Sequence, residues 1–113
     1  MISPVQPEES NQAKNGIRHI VCLKFKDKTS PEQIGEIEKE FPALQQSIPG
    51  IVSFEWGTNN SPEGLNKDFS HCFIVTFENE DARSNYLPHP NHQAFVDILK
   101  PLLDDVFVID FNL

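Results

Sequence analysis

From Ile17 onward the chain alternates. Ile17, His19, Val21, Leu23 and Phe25 fall on one side of residues 17–26, and Arg18, Ile20, Cys22, Lys24 and Lys26 on the other. A period of two with branched residues predicts a β-strand. The period then changes. Ile34, Ile37, Phe41, Leu44 and Ile48 recur at steps of three and four, which makes one apolar helical stripe. Ser30 stands as N-cap, Pro31 at the first helical position and Gln33 at capping-box spacing. Pro42 removes a backbone donor inside this pattern, so a kink or break is expected near Lys39 to Phe41. Pro49-Gly50 closes the helix. Alternation returns over residues 51–57, where Val52, Phe54 and Trp56 share a face. It returns again over residues 69–78, where Phe69, His71, Phe73, Val75 and Phe77 do. Asn79 caps a short helix through Tyr86, and "LPHP" interrupts it. Asn91 or His89 caps a further helix carrying Phe95, Ile98, Leu99, Leu102 and Leu103, with a kink at Pro101. Residues 105–113 form a closing strand with Val106, Val108 and Asp110 on one side.

The order β-α-β-β-α-β, its second helical region broken in two, predicts an α+β fold of the ferredoxin-like, split β-α-β type with an antiparallel four-stranded sheet. In this reading the first and third strands lie side by side and parallel at the centre, and the helices cover one sheet face. Val21, Leu23, Phe25, Phe73, Val75 and Phe77 should meet the helices. The other face would carry Ile20, Cys22, Ile51, Cys72, Ile74, Phe107, Ile109 and Phe111. So much contiguous apolar surface predicts a homodimer, with two such sheets packed face to face.

Composition narrows the partners. The 113 residues suit one domain, and 38% hydrophobic with 23% charged residues suits a globular one. A net charge of −8 argues against nucleic acid and against anionic membrane surfaces. No apolar run reaches the roughly 20 residues of a membrane span. Residues 1–16 have neither the basic nor the apolar region of a signal peptide and read as a disordered N-terminal extension; residues 17–113 are the folded domain. Two cysteines, Cys22 and Cys72, fit a reduced cytoplasmic protein.

His19 and His71 occupy the helix-facing sides of neighbouring strands, near the starts of both. Two imidazoles are therefore expected side by side at one end of that face. Polar rings in a small core mark either backbone-bonded histidines or a site. A mixed Cys/His zinc site would need ligands from both sides of the sheet, because Cys22 and Cys72 point by strand parity to the opposite face. An all-His site through His89-x-x-His92 is the remaining metal candidate, and no bound metal is expected. The carboxylates of "EIEKE" read as solvated helix charge, and Asp110 as a local partner on the helix-facing side. There is no Gly-rich phosphate loop and no nucleophile elbow.

Taken together, "RHIVCLKFK", "IPGIVSFEWG", "FSHCFIVTFE" and "NYLPHPNHQAF" followed by "VIDF" resemble the stress-responsive dimeric α/β-barrel (Dabb) family over residues 17–112. The resemblance implies a dimeric α/β barrel with a pocket for a small apolar, aromatic or polyketide-like molecule, and a stress-linked role. Polyketide cyclase members of that family carry out a cofactor-independent intramolecular aldol condensation with a tyrosine and a histidine. Their positions are matched here by Tyr86 and His92 in the block Y-x-x-H-P-x-H. The resemblance assigns His19 and His71 to the pocket, with Ile37, Phe41, Phe54, Phe95, Val106 and Val108 as its walls. Three functions follow from it: a small-molecule-binding homodimer, a cofactor-independent cyclase or lyase, and a cofactor-free monooxygenase of the wider dimeric α/β-barrel group.

Overall fold

In the computed structural model, which describes residues 15–113, the alternating and helical segments become a four-stranded sheet covered by helices on one face. The extension expected over residues 1–16 lies, but for its last two residues, outside the described residues. In chain order the elements are β1 (Ile17–Phe25), α1 (Pro31–Ser47), β2 (Ile51–Thr58), β3 (His71–Phe77), α2 (Glu80–Tyr86), α3 (Pro90–Leu99), a 3₁₀ turn (Lys100–Leu102) and β4 (Leu103–Asn112). The strand order is β2-β3-β1-β4, and every neighbouring pair is antiparallel.

The expected adjacency of the first and third strands holds, but their expected parallel direction does not. Ile17 faces Phe77 and Leu23 faces His71. Connectivity explains this. The α1 crossover returns β2 in the direction of β1, and the loop from β2 then reverses the chain into β3. The correction matters for the site. His19 lies opposite Val75 and His71 opposite Leu23. The two imidazoles are therefore four strand positions apart, roughly 13 Å, and at opposite ends of the helix-covered face.

α1 begins at the capping box read from the sequence: Ser30 Oγ accepts from Gln33 N, and Gln33 Oε1 accepts from Ser30 N. It runs unbroken through Pro42. The lost hydrogen bond is outweighed by the burial of Phe41 and Leu44 on either side of Pro42. Phe41 forms the centre of the core. Its ring stacks on Phe95 at 4.5 Å between centroids and meets Phe73 at 4.6 Å and Phe54 at 5.1 Å.

Two local features orient the later helices. A bulge between Ile51 and Ser53 sets two β2 residues against one on β3. It switches parity, so Ile51, expected on the open face, is buried in the helix-side core instead. Gly50 then turns the chain at φ 95°, and a Cβ there would lie 2.6 Å from Ala82 Cβ. This close approach seats α2, and with it Tyr86, against the β2 entry.

β4 is an edge strand exposed on both faces. On the helix side Val106 and Val108 are about half exposed; on the open side so are Phe107, Ile109 and Phe111. No helix among the described residues is long and apolar enough to cross a membrane.

Candidate functional site

The stretch from α2 into α3 is a hinge between two short helices, and it carries the two residues matched to the cyclase pair. Asn79 caps α2 by accepting from Ala82 N. Of the two candidate caps for α3, His89 takes the role: its Nδ1 accepts from Asn91 N at 3.0 Å. Pro90 follows at the first helical position.

The α2 terminus leaves backbone carbonyls without helical partners. One of them, Leu87 O, accepts from His92 Nδ1 at 2.9 Å and from Gln93 Nε2 at 2.9 Å. A carbonyl only accepts, so neutral His92 carries its proton on Nδ1 and leaves the Nε2 lone pair unused. Its ring lies 4.2 Å from that of Tyr86, centroid to centroid. Tyr86 is fully buried among Phe77, His19 and His92. Its hydroxyl is buried with no hydrogen-bond partner among the described residues. Burial pushes its pKa up, so the group stays protonated and remains a donor.

His19 completes this end of the face. Its Nδ1 donates to Asp110 Oδ1 at 2.8 Å, and Arg83 Nη1 donates to Asp110 Oδ2 at 2.9 Å. Asp110 thus faces His19 across the β1–β4 pair and ties it to α2.

Burial lowers the proton affinity of His92. The Leu87 carbonyl acts the other way, and His19 and His89 lower it further. Below about pH 6.5, the ordinary histidine value, the unfolded chain therefore binds more proton at this position than the folded one. The associated stability is present above that pH and is lost as pH falls through the folded value. The melting temperature is expected to drop more between about pH 8 and pH 5 in wild type than in His92→Gln; parallel profiles would remove this assignment.

The structure brings Tyr86, His92 and His19 together, and leaves His71 apart. His71 Nε2 donates to Glu38 Oε2 at 2.8 Å. Of the expected pocket walls, Ile37, Phe41 and Phe95 are packed into the core, and Phe54 lies partly buried against it. Val106 and Val108 stand half open on β4. None of the cavities described is lined by Tyr86 or His92. Among the described residues no three His, Cys, Asp or Glu side chains gather as metal ligands.

Two partners were not singled out from sequence. Arg83 sits three residues before Tyr86 and so on the same helix face. Glu38, read as solvated, falls four residues after Ile34 and three before Phe41, within the apolar stripe; a carboxylate at that spacing was the available signal.

The Stress responsive A/B Barrel Domain (Dabb) family model matches residues 17–113. The stress-response A/B barrel domain-containing protein HS1 of Arabidopsis thaliana is 38% identical over 101 residues, covering 89% of this chain and 93% of that protein. Olivetolic acid cyclase of Cannabis sativa is 27% identical over 96 residues, covering 85% and 95%. Among solved structures, hydroxynitrile lyase from Passiflora edulis superposes with a TM-score of 0.83 at 26% identity, covering 88% of this chain and 94% of that one. A dimeric ferredoxin-like protein of unknown function from Thermobifida fusca superposes with a TM-score of 0.76 at 26% identity, covering 87% and 91%. With residues 17–113 matched and a 38% identical relative spanning most of both chains, this protein belongs to the Dabb, or stress responsive A/B barrel domain, family.

Proposed function

We propose that this chain is a homodimeric small-molecule-binding protein whose Tyr86–His92 end holds a carbonyl-bearing aromatic or polyketide-like compound. One observation carries the reading: among the described residues, a fully buried tyrosine hydroxyl has no partner and packs against a histidine with one ring nitrogen unbonded. Burying a hydroxyl unpaired costs free energy, and a ligand oxygen at that position would recover it. The half-open helix side of β4, through Val106 and Val108, offers the apolar approach beside His19 and Asp110. A carbonyl-bearing probe is expected to shift the His92 ring signals by NMR, and His92→Ala to weaken its binding. Equal binding by the two proteins would count against the site.

The His92 tautomer favours a second, catalytic reading, a cofactor-independent cyclase or lyase. Nε2 would remove a proton beside a carbonyl while Tyr86 donates to the developing enolate oxygen. That two similar proteins are named a cyclase and a hydroxynitrile lyase supports it.

Dimerisation is read from β4 and the open face. A ten-residue edge strand with Phe107, Ile109 and Phe111 exposed is a template for a second copy. The dimeric neighbour from Thermobifida fusca supports this. Light scattering is expected to give twice the chain mass for wild type and the single mass for Ile109→Asp; a monomeric wild type at micromolar concentration would contradict it. The two free facing thiols, Cys22 and Cys72, support a reducing, cytoplasmic setting.

A further inference from the structure

The geometry points to a second chemical site at the opposite end of the sheet, an esterase-type centre built on Ser70, His71 and Glu38. The Tyr86–His92 reading does not use His71, yet that ring is held by aromatic contacts and by hydrogen bonds at both nitrogens. Trp56 lies parallel to it, with 9° between planes and 6.1 Å between centroids, and Phe25 meets it edge-on at 5.2 Å. Both nitrogens are engaged. Glu38 Oε2 lies 2.8 Å from Nε2, and Ser70 Oγ lies 2.7 Å from Nδ1. A carboxylate only accepts, so neutral His71 carries its proton on Nε2. Nδ1 is then the acceptor that faces the serine hydroxyl. Nucleophile, base and orienting carboxylate are each within hydrogen-bond reach, the arrangement that acyl transfer needs.

A cavity of about 340 Å³ adjoins the serine. Ser70 and His71 line it, and Cys22, Cys72, Phe69 and Phe107 give it apolar walls. Its volume is within the range of small-ligand sites. Asn59, also in the wall, is fixed beside Ser70 by its backbone N–H, which donates to Ser70 O at 2.8 Å. Asn59 Oδ1 accepts from Ser61 N, so in this proposal the side-chain amide N–H groups in the cavity wall are the donors for an oxyanion. The loop that contributes Asn66 and Lys67 to the wall holds two consecutive non-glycine residues in the left-handed region, Lys67 at φ 53° and Asp68 at φ 64°. Such strain persists only where surrounding structure imposes it. Part of the wall belongs to the open sheet face, so a second copy in the proposed homodimer would roof the cavity.

The substrate class is a small ester with an apolar acyl group. Ser70 Oγ forms a bond to the ester carbonyl carbon and its proton passes to His71 Nδ1. Collapse of the tetrahedral species breaks the bond to the alcohol oxygen, which leaves with that proton. Water then gives a proton to Nδ1 and attacks the acyl-serine; the acid departs and Ser70 regains its proton. Glu38 is a positioning residue that holds the ring and its tautomer.

The test uses full-length protein in its solution assembly. A fluorophosphonate probe is expected to modify Ser70 of wild type, mapped by peptide mass spectrometry. Hydrolysis of p-nitrophenyl butyrate is expected to fall to the buffer rate in Ser70→Ala and to stay unchanged in the control Ser84→Ala. Glu38→Gln should lower kcat and alter its pH profile with KM retained. The wild-type labelling needs no variant to fold. Absence of label at Ser70, or a wild-type rate in folded Ser70→Ala, overturns the proposal.

Discussion

Phe41→Ala is expected to destabilise the domain by about 3–5 kcal/mol, the usual cost of removing a buried phenylalanine and leaving a cavity. Phe41 is 3% exposed and its ring touches rings from three other elements: Phe54 on β2, Phe73 on β3 and Phe95 on α3. No single neighbour can relax into the space, because each is fixed by its own strand or helix. Domains of this size have about 5–15 kcal/mol in total, so the loss is a large share. It would also reach the site. Phe95 anchors α3, the helix whose first turn carries His92. Phe41→Leu should recover much of the loss, since it restores most of the volume. Midpoints of chemical unfolding for the three proteins give the comparison. A Phe41→Ala cost below about 1 kcal/mol would mean that the aromatic cluster does not hold the helices to the sheet.

Tyr86→Phe is expected to move stability and function in opposite directions. The substitution removes a buried hydroxyl that has no partner among the described residues and leaves the ring packing against Phe77 and His92 intact. Relief of an unsatisfied buried polar group is worth about 1–3 kcal/mol, so the variant should be the more stable protein. Binding of a carbonyl-bearing compound should weaken, because the donor proposed to meet its oxygen is gone. If the site catalyses an aldol-type reaction, loss of such a donor is expected to lower kcat by about 10²–10³-fold. A native protein keeps a destabilising group of this kind where function uses it.

α1 and β1 were legible because each carries one unbroken period, whereas Leu102 and Leu103, read as helical, form the 3₁₀ turn and the start of β4. The α1 stripe from Ile34 to Ile48 and the alternation of β1 specify their buried faces without tertiary information. Strand direction was not legible from period at all: alternation is the same in either direction. The parallel reading of β1 and β3 therefore placed His19 beside His71, where the register sets them apart. The Ile51 bulge was hidden for a related reason. One extra residue leaves the sequence pattern intact and switches the face.

The site was legible in its family block and less so in its electrostatics. Tyr86 and His92 flank a hinge that prolines make visible. Asp110 and Arg83 meet His19 from β4 and α2, distant elements whose convergence depends on the fold. Glu38 shows the converse. Its position within an apolar stripe was readable, and its histidine partner on β3 was not.

The account rests most heavily on the unpaired Tyr86 hydroxyl, and the thermal stability of Tyr86→Phe tests it without any assumption about the ligand. Scanned beside wild type in one buffer near neutral pH, the variant should melt higher by roughly 4 °C or more, the shift that about 1 kcal/mol produces in a domain of this size. A lower melting temperature would show that the hydroxyl is already satisfied in the folded protein, and would contradict a hydroxyl kept unpaired for a ligand oxygen.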